Sequence, residues 1–139
     1  FANMLGGDDF IYRNRGRTWK DMGFAYYPTS STPRLMGSGT LAPSTMTTYD
    51  VVTGPTVTSG FLVAGLNTIF APFKGGTMVP SPDIVIPGFQ TTGAGTLNFS
   101  IMFPAGVPAG LNIFHQMWFM VPASPTGFIS SNGLSALTP

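Results

Sequence analysis

The sequence predicts an all-β protein: a two-sheet β-sandwich, jelly-roll or immunoglobulin-like, of about eight strands, with an extended N-terminal arm. Three observations lead there. The 139 residues include 18 Gly and 13 Pro, set between short apolar runs in the punctuation of strands and turns. No sustained run free of Gly and Pro carries apolar residues at helical spacing, and the longest helix candidate, Arg17 to Tyr27, is interrupted by Gly23. Finally, Ala94 to Pro122 reads as two long strands around a Pro/Gly turn. Leu97, Phe99, Ile101 and Phe103 share one face of the first, with Asn98, Ser100 and Met102 on the other.

Residues 1–33 form the predicted arm and differ from the rest. Charged residues are only 8% of the chain, about a third of the usual share, and all but Asp50, Lys74 and Asp83 lie in the first 34 positions. Asp9, Ile11 and Arg13 alternate with Phe10, Tyr12 and Asn14, as in an exposed strand or extended segment. Arg13, Arg15 and Arg17, spaced by two, line one face of such a strand. They read as a solvated face, as an anion contact with Tyr12 and Trp19 nearby, or as partners for Asp on a neighbouring subunit.

Thr32-Pro33 marks the predicted boundary, and residues 34–139 the sandwich. Arg34 to Leu41 is a short strand with Gly37 and Gly39 in it. Thr45 to Val52 is rich in Thr and β-branched residues, which suit a pleated surface. Thr53-Gly54-Pro55 turns. Ser59 to Phe70 reads as one apolar strand, with Gly65 at a bulge or a close approach of backbone. Lys74-Gly75-Gly76 turns into the short Thr77 to Pro80. Pro82 and Pro87 flank Ile84-Val85-Ile86, which assigns that strand to a sheet edge. Phe128 to Leu137 closes the chain, with Asn132-Gly133 as a turn or bulge.

The second central strand is apolar on both faces. Leu111, Ile113, His115, Met117, Phe119 and Val121 alternate with Asn112, Phe114, Gln116, Trp118 and Met120, so both faces need cover. The expectation is that the arm or the next subunit supplies the second cover. The predicted subunit interface is therefore Phe10, Ile11, Tyr12, Trp19 and Phe24 of the arm, with Phe114, Trp118 and Met120 of this strand. Phe114, Trp118 and Met120 also suit a sugar-stacking platform, although only Asn112 and Gln116 would hydrogen-bond hydroxyls there.

No catalytic constellation, metal site or cofactor motif is legible. His115 is the only histidine and there is no cysteine, which leaves no His/Cys zinc set. There is no nucleophile elbow, Walker motif or dinucleotide glycine motif. The carboxylates are five Asp and no Glu, and Asp8-Asp9 after Gly6-Gly7 suits a turn or a partial Ca²⁺ ligand set. Asn98-Phe99-Ser100 matches a glycosylation sequon, but its mid-strand place reads as chance. A net charge of +1 gives no bulk attraction to nucleic acid, and no apolar run is long enough for a membrane-spanning helix.

Several motifs resemble small secreted β-sandwich modules at the C-termini of bacterial exported proteins. They are Gly37-Ser38-Gly39, then Gly75-Gly76-Thr77 with Pro80, Pro82 and Asp83, then Gly110-Leu111, Ile113-Phe114 and Gln116, and finally Gly127 with Ser131-Asn132-Gly133-Leu134. The resemblance covers about residues 33–138 and implies export and a β-sandwich, not an activity. Phe114 stands where that pattern usually has Tyr. The start at Phe1 suggests a processed product, with an export leader removed, or a fragment.

These readings converge on a secreted bacterial structural protein that is not an enzyme. It is expected at the cell surface or outside the cell, self-assembling into a homopolymeric filament or layer by strand complementation from the arm. A monomeric module binding carbohydrate or a cell-surface polysaccharide is the alternative. A viral jelly-roll coat protein comes third, weakened by the Asp residues among the basic ones of the arm, and an enzyme last.

Overall fold

The computed structural model describes residues 18–28 and 32–139. It contains eleven strands and no helix among those residues, built as the predicted two-sheet β-sandwich. The strands are β1 Trp19–Gly23, β2 Arg34–Ser38, β3 Met46–Val52, β4 Ser59–Gly65, β5 Thr68–Phe73, β6 Gly76–Pro80, β7 Ile84–Gln90, β8 Leu97–Met102, β9 Asn112–Met120, β10 Phe128–Ser130 and β11 Gly133–Leu137.

The larger sheet runs β1-β11-β9-β4-β7, with β10 beside β9, and the smaller runs β2-β3-β8. Every pairing is antiparallel. Leaving β1, β5, β6 and β10 aside, the order is of the immunoglobulin kind: first, second and fifth strands face the third, fourth, sixth and seventh. Leu35, Tyr49 and Val51 of the small sheet meet Leu62, Met117, Phe119, Ile129 and Leu134 of the large one in the main core. Alternation puts them there. In β3, Thr47, Tyr49 and Val51 are buried, while Met46, Thr48, Asp50 and Val52 point outward.

Several elements differ from the sequence expectation. Ser59 to Phe70 is two strands, β4 and β5, which belong to different sheets. Gly65 ends β4 against the Ser81 backbone, so close that a Cβ there would overlap the Ser81 carbonyl oxygen. The strands β8 and β9, consecutive around the Pro/Gly turn, do not pair but lie in opposite sheets. Trp19–Gly23, expected in the arm and part of the helix candidate, is an edge strand paired with β11. Its Trp19 ring lies on Gly37 of β2, where any Cβ would collide with it. β7 takes the edge position that Pro82 and Pro87 predict.

The middle of the second face of β9, Gln116 and Trp118, is covered by the chain's own residues, where the expectation was an arm or a neighbour; Phe114 is half-buried and Met120 exposed. The hairpin β5–β6 folds over the outer side of the large sheet and packs Met78 against Trp118 and Val63. Two large aromatics on adjoining elements, Phe73 and Phe128, flank that second core. The residue pattern of β9 called for a cover; which segment supplies it depends on the Gly65–Asn67 turn sending β5 over the sheet.

Candidate functional site

The outer core is held by one amide. Gln116 is fully buried, its Oε1 accepting from Val79 N at 3.0 Å and from Trp118 Nε1 at 3.2 Å. Its Nε2 donates to Thr77 O at 3.0 Å and Ser131 O at 3.1 Å. Gln116 thus ties β6, β9 and the β10–β11 junction together with each buried polar atom satisfied. At that junction Ser131 Oγ accepts from Met117 N at 2.9 Å, while Ser131 N donates to Met117 O at 2.8 Å, which carries the β9 ladder across the break.

Asn132 performs the same service between the two sheets. Its Oδ1 accepts from Leu35 N at 2.8 Å, and its Nδ2 donates to Leu35 O at 3.2 Å and Asp21 Oδ1 at 3.1 Å. Asp83 accepts from Leu66 N and Ser81 Oγ, both at 2.9 Å, and these bonds hold its carboxyl below the usual carboxylate range. Gln116, Asn132 and Asp83 all belong to the motifs singled out in the sequence, and all three are structural ties.

On the inner face, His115 Nε2 and Tyr49 OH are 3.0 Å apart and buried, with the Trp19 ring 5.7 Å from the imidazole and 5.8 Å from the phenol. Burial pushes His115 down to about 4 from its ordinary 6.5, and pushes the Tyr49 phenol up. The Leu134 backbone acts on His115 in the opposite direction, but among the described residues no contact of hydrogen-bond geometry reaches Nδ1. The imidazole is therefore neutral at physiological pH, and Nε2 and the Tyr49 hydroxyl are occupied by each other.

Next to this pair the sandwich opens into an apolar cleft of about 460 Å³. Leu62, Ile84 and Ile86 line its large-sheet side, and Ile101 and Phe103 its small-sheet side. The cause is a mismatch of widths. The large sheet is five strands wide and the small sheet three. Trp19 fills the gap on the β1–β2 flank, whereas on the β7–β8 flank the Phe89–Phe99 stack, with centroids 4.2 Å apart, bridges the layers and the β8–β9 connection, through Pro104, Val107 and Leu111, borders the opening. Sequence reasoning missed this cleft, because it follows from the number of strands per sheet.

Of the predicted interface residues, Trp19, Phe24, Phe114, Trp118 and Met120 are described. Phe10, Ile11 and Tyr12 lie outside the described residues, as do Asp8, Asp9, Arg13, Arg15 and Arg17. Trp19 is half-buried against the main core. Phe24 is 52% exposed and packs against Phe70 with the rings tilted and their centroids 5.1 Å apart. Phe114 is half-buried and Met120 exposed, but Trp118 is wholly buried under the hairpin, edge-on to Phe73 at 4.9 Å. Trp118 therefore offers no face to a neighbour, and the sugar platform built on it does not exist.

Among the described residues no group of three or more His, Cys, Asp or Glu could hold a metal, and no helix is long and apolar enough to cross a membrane. Among the described residues the arrangement offers an apolar recess and exposed strand edges. Compared with family models, curated proteins and solved structures, the chain finds no match.

Proposed function

We propose that this is a structural protein of a bacterial cell surface or extracellular filament, secreted and assembling with copies of itself through its N-terminal arm. The observation that carries the reading is a surface both apolar and almost free of charge. Met46, Val57, Leu66, Ile84, Val85 and Met102 are each at least half exposed, on a domain with three charged residues after Arg34. Such a surface is poorly protected against association and suits contact with its own kind. The motif resemblance to small exported β-sandwich modules supports the same compartment. The arm adds the one charged and aromatic segment, whose alternation suits pairing with a sheet edge.

The test is electron microscopy with sedimentation on the full chain and on a chain lacking residues 1–17. That deletion stops before Thr18 and spares β1, whose Trp19 is needed in the core. The full chain is expected to form regular filaments or sheets and the shortened one to stay small. A full chain that remains monomeric at high concentration overturns the proposal.

A further inference from the structure

We infer that the β7–β8 flank is the acceptor for Asp9–Arg13 of a neighbouring copy, which adds beside β8 as a fourth strand of the small sheet with Phe10 and Tyr12 in the apolar cleft. The inference rests on the assembly reading above and names its site.

The edges of the two sheets differ in how well they are protected. β7 carries Pro87, and its register with β4 is interrupted by a bulge, so it accepts a partner poorly. β2 has β1 and Trp19 at its side and Arg34 at its start. β8 has neither Pro nor charge, and it pairs with β3 in unbroken register from Met46↔Met102 to Val51↔Leu97. Among the described residues no strand pairs with its far side. A strand added there would place one face in the cleft lined by Ile101, Phe103, Ile84 and Ile86, and the other beside Ser100 and Met102.

Asp9–Arg13 has the matching alternation: Phe10 and Tyr12 on one face, Asp9, Ile11 and Arg13 on the other. The apolar face fits the cleft, and the second face continues the outer surface, where Met102 is 60% exposed. Asp50, outward on β3 opposite Asn98 of β8, lies on the same outer face as Arg13 and complements it in charge.

The place where the arm joins the domain favours a neighbour over the same chain. Thr18 leads into β1, at the opposite end of the large sheet from β7. Donor and acceptor thus lie on opposite flanks, the heterologous arrangement that repeats head to tail without closing. With Asp9–Arg13 beside β8, only residues 14–17 link it to Thr18, a reach of roughly 18 Å. The five-strand sheet is about 19 Å across, so a return to the same chain's β8 lies at the limit of that reach and is the competing outcome to be tested.

The chain has no cysteine, so introduced thiols report alone. Chains carrying Ile11→Cys are mixed with size-tagged chains carrying Ser100→Cys or Met102→Cys, both outward on β8, and oxidised mildly. The expected result is a disulfide-linked pair of unequal chains in one of the two mixtures, and a covalent ladder from the matching double variant. Sedimenting assemblies that give no such link in either mixture overturn the acceptor while leaving the assembly reading in place. A double variant that closes on itself as an oxidised monomer overturns the neighbour as donor. Chains that show nothing larger than a monomer before oxidation overturn both readings.

Discussion

Lowering the pH from 7 to 4.5 should destabilise this domain through His115. Folded, its imidazole is held neutral by burial with a pKa of about 4; unfolded, it returns to about 6.5. Between those values the unfolded chain binds one proton more than the folded one, so stability falls as the pH falls. It is complete above the unfolded value, declines by about 1.4 kcal/mol per pH unit, and levels off below the folded value, a total of about 3 kcal/mol. Asp83 acts in a separate window: its lowered carboxyl pKa contributes stability above the ordinary 3.8 that is lost only below it. The assay is urea denaturation at pH 7, 6, 5 and 4.5, at a concentration where sedimentation gives one species, with the midpoint read at constant slope. His115→Gln keeps an acceptor for Tyr49 OH and should flatten the profile between pH 6.5 and 4.5. A flat wild-type profile, or the same slope in His115→Gln, would refute the account of a neutral buried imidazole.

Three further outcomes are expected. Gln116→Leu leaves Val79 N, Trp118 Nε1 and the Thr77 and Ser131 carbonyls without their buried partner, and should cost at least about 2 kcal/mol in the same denaturation assay, against little change for an exposed-site control such as Gln90→Leu. Gly65→Ala forces the Ser81 backbone away from β4 and should lower stability by about 1–3 kcal/mol, whereas Gly93→Ala, with open space at that point, should be close to neutral. Assemblies should survive a rise from 0.1 to 1 M NaCl in a sedimentation assay, because charge is scarce in residues 34–139; dissolution at moderate salt would instead make the Arg–Asp contacts of the arm the main attraction.

Much of the architecture was legible in residue order. Alternation at Leu97, Phe99 and Ile101 put those side chains toward the core and left Asn98, Ser100 and Met102 outside. Pro82 and Pro87 placed β7 at an edge, since a missing N–H is tolerated only where no second neighbour needs it. Gly65 announced a bulge or a close approach, and the structure shows the close approach, to the Ser81 backbone. The apolar character of both faces of β9 announced two covers. These features are local, because the period of a strand and the dihedral limits of Pro and Gly act within a few residues.

Which segments meet was decided by the tertiary structure. Period 2 says that Trp118 faces away from Met117, but it does not say that Met78 and Phe73, some forty residues earlier, lie over it. The same pattern in Trp19–Gly23 suits a free arm or a fifth sheet strand, and only the pairing with β11 and the ring on Gly37 choose the latter. The β7–β8 cleft has no residue signature, since it arises from five strands facing three. Sequence determined the faces and the turns through short-range sterics and hydrophobic period. The strand order, the cover over Trp118 and the open flank follow from long-range pairing, in which many partners satisfy the same local pattern and the packing of the whole chain selects one.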